Sequence, residues 1–256
     1  MANAVVHWEL SSHDAERLHQ FYTSLFDWRI EKQSFMDYRT VFTGGKGGID
    51  GGMMDVEDST PPYLTFYVSV EDLQVSLSKA ESMGAKIVIP PTPIPNVGTF
   101  AQITDPEGHL IGLIEPPPDW DEQAGSQARE ERDGNPVVHW EIGTANAKRL
   151  HGFYTALFEW QVDTNNPHGY GVVHTGATDG IDGGIFQTGN GTPNYLTFYV
   201  QVDDVRVSLS KAQSLGATTV GAITPVPGVG TVAHFADPDG HLVSVIQDEV
   251  IEVELA

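Results

Sequence analysis

The sequence contains no cysteine. Disulfide bonds, thiolate nucleophiles and cysteine-ligated metal centres are therefore excluded, and the composition suits the reducing cytoplasm, where we expect the protein to reside. No apolar run approaches the roughly 20 residues that a transmembrane helix needs, and the N-terminus lacks the pattern of a secretory signal. These absences predict a cytoplasmic protein with no membrane partner.

Basic residues are scarce, with 13 lysines and arginines against 35 acidic residues and a formal net charge of −22. We expect no nucleic-acid partner, because phosphate binding needs a basic face. The acidic charge has two interpretations, solubility in general or the attraction of a cationic small molecule to an acidic cleft. The phosphate-binding loop, the dinucleotide fingerprint, the zinc-protease motif and an ordered serine–histidine–aspartate set are all missing, which argues against those enzyme classes.

The chain repeats itself at a constant offset of 132 residues. The matching segments are VHWEL at 6–10 with VHWEI at 138–142, YLTFYV at 63–68 with YLTFYV at 195–200, and DPEGH at 105–109 with DPDGH at 237–241. One offset kept over a hundred residues indicates the duplication of a whole domain. We expect domains at 1–116 and 136–249, an acidic, proline-rich linker at 117–135, and a tail at 250–256.

Each half contains the pattern strand, helix, strand, strand, strand twice. The first helix begins near Asp14 and then has apolar residues at helical spacing, including Leu18, Phe21 and Leu25. The glycine-rich segment 44–48 favours a hairpin turn with a bulge over a phosphate cradle, because no Gly-Lys-Ser/Thr sequence follows it. The sequence therefore predicts an α+β fold of four βαβββ units.

The first strand of each half carries a histidine and a glutamate two residues apart. Side chains alternate between the faces of a strand, so His7 and Glu9 point one way while Val6, Trp8 and Leu10 point the other. We expect the apolar face to lie under a helix and the polar face to line a cavity. His139 and Glu141 repeat this arrangement in the second half.

Three features together resemble the vicinal oxygen chelate superfamily, which includes glyoxalase I, fosfomycin-resistance enzymes, extradiol dioxygenases and bleomycin-binding proteins. They are the paired βαβββ units, the Phe-Tyr pairs at 21–22 and 153–154, and Asp-Pro-x-Gly-His before the last strand of each half. The resemblance is to tandem glyoxalase-like proteins. It implies two cup-shaped mixed sheets, each with the ligand on the concave side and helices on the convex side.

The resemblance also implies where a metal would bind. In metal-using members the first ligand lies fourteen residues before the Phe of Phe-Tyr, and here these positions are His7 and His139. The second ligand, usually histidine, corresponds to Thr65 and Thr197, and the third, usually glutamate, to Gly112 and Ser244. Threonine, glycine and serine do not replace the histidine and glutamate that bind a divalent ion strongly. We therefore expect no cofactor and no metal, with a divalent ion held by an unusual ligand set as the alternative.

The polar residues of the predicted cups support two interpretations. His7 with Glu9, and His139 with Glu141, have the groups for acid–base catalysis at neutral pH. Two threonines and two tyrosines on the neighbouring strands are predicted to bind a polar or flat ligand: Thr65, Tyr67, Thr197 and Tyr199. The other interpretation is a hydrogen-bonded pair that closes each cup without chemistry. His109 and His241 are expected to be structural.

We favour a metal-independent enzyme, of isomerase, lyase or cyclase type, that acts on a small organic metabolite. One alternative is a resistance protein that sequesters an antibiotic or metabolite, and the other is a divalent-metal-dependent enzyme. The partner in each case is a small molecule, with aromatic or cationic character as two options. The chain is expected to be a monomer with pseudo-dimeric domains or a homodimer.

Overall fold

The computed structural model describes residues 3–33, 37–118, 133–167, 169–189 and 191–249. Most of the predicted linker and the predicted tail lie outside these ranges, so the predicted domain limits stay a prediction. Within the described ranges, no helix has both the length and the apolar character that crossing a membrane requires.

The two halves contain the same elements in the same order. In the first half they are β1 (Val5–Ser12), α1 (Ala15–Phe26), β2 (Arg29–Lys32), β3 (Tyr38–Phe42), β4 (Gly51–Asp55), β5 (Leu64–Ser69), α2 (Leu73–Ser82), β6 (Lys86–Ile94), β7 (Gly98–Thr104) and β8 (Leu110–Glu115). In the second half they are β9 (Val137–Thr144), α3 (Ala147–Phe158), β10 (Gln161–Asp163), β11 (Gly171–His174), β12 (Gly183–Gln187), β13 (Tyr195–Gln201), α4 (Val205–Ser214), β14 (Thr218–Val226), β15 (Gly230–Ala236) and β16 (Leu242–Asp248).

Each half forms one eight-stranded mixed sheet, in the order β2-β3-β4-β1-β5-β8-β7-β6 and β10-β11-β12-β9-β13-β16-β15-β14. The leading strands β1 and β5 are antiparallel neighbours at the centre, and each also pairs in parallel with the last strand of its own unit. This topology confirms the α+β class and the four βαβββ units.

Helices α1 and α3 begin and end by the same devices. Asp14 and Asn146 accept a hydrogen bond from the backbone amide three residues later, which satisfies a free helix amide. Both helices end at a residue in the left-handed conformation, Asp27 with φ of 57° and Glu159 with φ of 62°. The apolar stripe predicted for α1 is buried, as is its counterpart on α3.

A bulge in β1 changes which valine faces the core. Val5 pairs with Val68 and His7 with Tyr67, so Val6 is an extra residue in the pairing. Val5, rather than the predicted Val6, therefore shares the apolar face with Trp8. The same shift recurs in β9, and in both strands the histidine and glutamate stay on the polar face.

The apolar faces of the two sheets pack against each other. The ring of Trp8 lies 4.7 Å from that of Phe198, and Phe66 lies 4.8 Å from Trp140. Helix α1 contacts β1, as expected, and the aromatic neighbours of Trp8 include Phe198 of the other half and Trp28, which follows α1. The polar faces of β1 and β9 consequently lie on the side of each sheet away from the shared core.

The Asp-Pro-x-Gly-His segments tie the halves together. His109 Nδ1 lies 2.9 Å from Asp105 Oδ2, which also accepts a 2.9 Å hydrogen bond from the Tyr154 hydroxyl of the other half. Tyr22 donates in the same way to Asp237, at 2.8 Å. These contacts agree with a structural role for the two histidines.

Candidate functional site

The first cup has a buried carboxylate on its floor, contributed by β1. Glu9 is only 5 % exposed. Its Oε1 accepts hydrogen bonds from the hydroxyls of Tyr63 at 2.8 Å and Tyr67 at 3.1 Å. Gln102 on β7 donates to the Tyr67 hydroxyl at 2.9 Å and extends the network across the sheet. The floor is therefore a phenol–carboxylate network rather than a pair of isolated polar groups.

Glycines make room for the tyrosine rings of this floor. A Cβ at Gly52 would overlap with the Tyr38 ring, and one at Gly112 would overlap with the Tyr67 ring. A glycine inside a strand often marks such a close approach. The two rings therefore lie flat on the strands where other residues would project side chains.

His7 lies beside this network, on the same face of β1. Its Nε2 is 2.7 Å from the Tyr38 hydroxyl, and its ring centroid is 5.9 Å from that of Tyr67. The side chain is half-buried. The cup thus holds an imidazole and a phenol within hydrogen-bond distance of each other, above a carboxylate.

The second cup repeats the arrangement. His139 Nε2 lies 3.0 Å from the Tyr170 hydroxyl. Tyr195 and Tyr199 donate to the two carboxylate oxygens of Glu141, at 2.6 and 3.0 Å. The histidine–tyrosine pair and the glutamate held by two tyrosines are therefore present in both halves.

The cups differ on the side of β15 and β16. His234 stands where the first cup has Gln102, and Ser244 stands where it has Gly112. His234 Nδ1 lies 2.7 Å from Ser244 Oγ, which lies 3.0 Å from Thr197 Oγ1. The second cup thus contains a second histidine.

Burial dominates the electrostatics of both cups. It raises the pKa of Glu9, against the opposite effect of the tyrosine hydroxyls that donate to it. Burial lowers the pKa of His139, although the nearby Glu141 and Asp182 raise it by a smaller amount. It also lowers the pKa of His234, which Glu141 raises by a smaller amount. Neutral imidazole is therefore favoured at both histidines of the second cup.

The tyrosines around the carboxylates remain protonated at neutral pH. Burial and the adjacent glutamate raise the pKa of the phenols in both networks, among them Tyr63, Tyr67, Tyr195 and Tyr199. They therefore act as hydrogen-bond donors to the carboxylates.

The structure brings His7, Glu9 and Tyr67 together, and likewise His139, Glu141 and Tyr199. The two threonines are engaged with the protein: the Thr65 hydroxyl donates to the carbonyl oxygen of Leu110 at 2.7 Å, and Thr197 bonds Ser244. Their predicted role in ligand binding stays a prediction.

Several residues of the network escaped the sequence reasoning: Tyr38, Tyr63, Gln102, Tyr170, Tyr195 and His234. Alternation along β5 was a signal for Tyr63, which lies two residues before Thr65 and on the same face. The recurrence of Tyr38 as Tyr170 at the repeat offset was a second signal. No such signal existed for Gln102 and His234, because the two copies carry different residues at this position of the repeat.

The donor sets of the cups do not fit a divalent ion at the positions implied by the resemblance. In the first cup Glu9 Oε1 is bonded to two phenols, and the Tyr67 ring covers Gly112. Hydroxyls of Thr197 and Ser244, bonded to each other, occupy the corresponding positions of the second cup. No cluster of three or more potential histidine or carboxylate ligands occurs in the part of the chain that the structure describes.

Comparison with known proteins finds relatives along nearly the whole chain. A mycobacterial protein named "Putative glyoxylase CFP32", from Mycobacterium bovis, is 24 % identical over 255 residues, covering 93 % of this chain and 92 % of that one. The protein of the same name from Mycobacterium tuberculosis matches equally.

Solved structures share the fold at low sequence identity. The 2,3-dioxygenase LapB of Pseudomonas sp. KL28 has a TM-score of 0.64 at 11 % identity, with 96 % of this chain and 93 % of that chain covered. Homoprotocatechuate 2,3-dioxygenase of Brevibacterium fuscum, in complex with 3,4-dihydroxyphenylacetate, has a TM-score of 0.68 at 14 % identity, with 96 % and 81 % covered. A variant of 4-hydroxymandelate synthase from Streptomyces coelicolor has a TM-score of 0.63 at 14 % identity, with 97 % and 94 % covered.

Family models match both halves. Residues 4–113 match the Glyoxalase/Bleomycin resistance protein/Dioxygenase superfamily, and residues 138–246 match a glyoxalase-like domain. Together with the duplicated βαβββ units and the two mixed sheets, these matches identify the chain as a tandem member of the Glyoxalase/Bleomycin resistance protein/Dioxygenase superfamily.

Proposed function

We propose that the protein is an enzyme that moves a proton on a small carbonyl compound, with the histidine–tyrosine pair of each cup as its acid–base group. The observation that carries the proposal is the pairing of His Nε2 with a tyrosine hydroxyl in both halves, at 2.7 Å for His7 and 3.0 Å for His139. Each pair lies beside a glutamate that is itself held by two tyrosines.

The pair suits enolisation. With the histidine proton on Nδ1, a carbonyl compound that enters between the two groups meets an acceptor nitrogen and a donor hydroxyl. The proton of a C–H bond next to the carbonyl passes to His Nε2, and the bonding electrons move to the carbonyl oxygen. The tyrosine hydroxyl donates a hydrogen bond to that oxygen as charge develops on it. Return of the proton to the same carbon exchanges it. In an alpha-hydroxy carbonyl compound, transfer of the hydroxyl proton to the former carbonyl oxygen turns the hydroxyl-bearing carbon into the new carbonyl carbon, and return of the first proton to the former carbonyl carbon then isomerises the compound.

The other contacts of the cups support this role. Burial favours the neutral imidazole at His139, which is the form that accepts a proton. Glu141, bonded to two tyrosines, stays close enough to stabilise the imidazolium that forms. The name "glyoxylase" of the mycobacterial relatives is consistent with a small carbonyl substrate for this chain.

Proton exchange tests the proposal directly. Hydroxyacetone, dihydroxyacetone and lactaldehyde are incubated with the protein in D2O, and the loss of C–H signals is followed by proton NMR. We expect catalysed exchange with at least one compound. Changing both His7 and His139 to alanine should lower it at least about 100-fold, the usual contribution of a general base. Absence of exchange in the native protein, or unaltered exchange in a folded double variant, contradicts the proposal.

A second candidate function is sequestration of a ligand without chemistry. The observation that favours it is the saturation of Glu9 by protein hydroxyls, which leaves a floor of tyrosine rings suited to stacking. Calorimetric titration with bleomycin distinguishes the two functions. Submicromolar binding with an unchanged ligand mass and no exchange in the NMR assay would favour sequestration.

A further inference from the structure

Backbone pairing aligns four residues across each cup in the same register. In an aligned row, directly paired residues point to the same face of the sheet. The row of the first cup is His7, Tyr67, Gly112 and Gln102, and the row of the second is His139, Tyr199, Ser244 and His234. The rows agree at the first two positions and differ at the last two, so within these rows the copies have diverged on the side of β7 and β8, and of β15 and β16.

The side-chain amide of Gln102 is hydrogen-bonded to tyrosines in the floor of the first cup. Its Nε2 lies 2.9 Å from the Tyr67 hydroxyl and 3.5 Å from that of Tyr63, and the side chain is 2 % exposed. A buried amide with its donor directed at two protein hydroxyls is poorly placed to hold a ligand. On this side, the first cup therefore offers the ligand no donor from Gln102.

His234 is placed differently. Its side chain is half-buried, and its Nδ1 is bonded to Ser244, which is fully buried and bonded in turn to Thr197. When Ser244 donates to Nδ1, the neutral ring carries its proton on Nε2. No hydrogen bond from Nε2 to a protein group is present in the described part of the chain. In this tautomer the ring presents an Nε2–H donor on the cup face.

The two histidines of the second cup lie on either side of one tyrosine. The Tyr199 ring centroid is 5.4 Å from that of His139 and 6.0 Å from that of His234, with both contacts edge-on. A small flat molecule lying on Tyr199 would meet one imidazole at each end. In the first cup the same molecule would meet only His7.

We propose, building on the proposed function, that His234 anchors the ligand of the second cup by donating Nε2–H to its carbonyl oxygen, and that the second cup carries most of the turnover. Polarisation of the carbonyl by His234 acidifies the C–H bond that faces His139. The C–H proton passes to His139 Nε2 and the bonding electrons pass to the carbonyl oxygen, so no oxidant or co-reactant is needed. The first cup holds the same class of compound less tightly.

Replacement of His234 by glutamine, the residue that the first cup has, tests the proposal. In the exchange assay with hydroxyacetone, His234→Gln should lower kcat/KM about ten-fold, which corresponds to about 1.4 kcal/mol. The change should include a higher KM, because the anchor is lost, and a lower kcat, because the carbonyl is less polarised. His139→Ala should lower the exchange rate more than His7→Ala does. His13→Gln makes the same chemical change at an exposed histidine outside both cups and is expected to behave as the native protein.

The outcomes separate this inference from the proposed function. An unchanged kcat/KM for exchange in His234→Gln, or exchange that depends on His7 more than on His139, overturns the inference while the proposed function stands. If the native protein exchanges no proton, the proposed function fails. The NMR signals of the histidine rings then test the anchoring site by themselves. A shift of the His234 signal on addition of hydroxyacetone, larger than that of His7, supports the anchoring site, and its absence overturns it.

Discussion

Glu9 is the residue in which burial and hydrogen bonding oppose each other most directly. It is nearly enclosed by protein, and no arginine or lysine is among the groups that shift its pKa. Two tyrosine hydroxyls supply the stabilisation that a cation would otherwise provide. Because burial raises the pKa of Glu9 in spite of them, the protein favours the neutral acid more than water does.

The raised pKa of Glu9 has a consequence for stability. The folded state binds a proton at Glu9 more readily than the unfolded state, whose glutamate titrates near 4.5. The contribution of Glu9 to stability is therefore complete below that pH and is lost as the pH rises through the raised folded pKa. Glu9→Gln does not titrate. Its stability relative to the native protein should improve as the pH rises from 5 to 8.

Urea unfolding at intervals between pH 5 and pH 8 measures this effect. Glu57→Gln, at an exposed position before β5, serves as the matched control because it removes a carboxylate that the fold does not bury. An identical pH dependence in the two variants would show that Glu9 is not destabilised by its surroundings.

At the scale of the strands, glycines decide where the tyrosine rings lie. In β4 and β8 the rings of Tyr38 and Tyr67 cover Gly52 and Gly112, and in β12 the ring of Tyr170 covers Gly184. The cup floor thus forms where a tyrosine ring lies over a glycine, which has no side chain, on a neighbouring strand. The position where metal-using relatives carry a glutamate is in this way filled by a ring from β5.

Gly112→Ala should disturb this packing. The new methyl group would overlap with the Tyr67 ring, which is held by Glu9 and Gln102, so the free energy of unfolding should fall by about 1–3 kcal/mol. Gly152→Ala is the control with the opposite sign. Gly152 lies exposed within α3 with open space around its Cβ position, and alanine there should stabilise by about 0.5–1 kcal/mol.

Thermal and urea unfolding measure both changes. Equal stabilities of Gly112→Ala and the native protein would mean that Tyr67 moves away at no cost, and the floor would then not be the rigid network described above.

At the scale of the molecule, the halves are joined by reciprocal contacts. The Trp28 indole donates to the carbonyl oxygen of Asn135 at 2.8 Å, and the Trp160 indole donates to that of Asn3 at 2.6 Å. Lys79 and Lys211 donate to carbonyl oxygens at the end of the first helix of the opposite half. With the shared aromatic core, these contacts favour unfolding of both sheets as one unit.

Removal of the hydroxyl of Tyr22 or Tyr154 should weaken both halves at once. Each donates to a buried aspartate across the interface, so Tyr22→Phe or Tyr154→Phe should cost about 1–3 kcal/mol. Hydrogen exchange followed by mass spectrometry should show faster exchange in peptides of both sheets. Ser78→Ala, on the exposed side of α2, is the control. Faster exchange confined to one half would contradict cooperative unfolding.

The sequence by itself determined the duplication, the four βαβββ units and the orientation of His7, Glu9, His139 and Glu141, because strand periodicity and a constant repeat offset are local properties. It did not locate the bulge at Val6, which arises from pairing with β5, or the cover of Trp8 by Phe198, which comes from the other half. The hydrogen bonds of Tyr63 and Tyr67 to Glu9, and the contrast between Gln102 and His234, were decided by the tertiary structure. Those residues come from strands far apart in the chain, and only the sheet register brings them to one face.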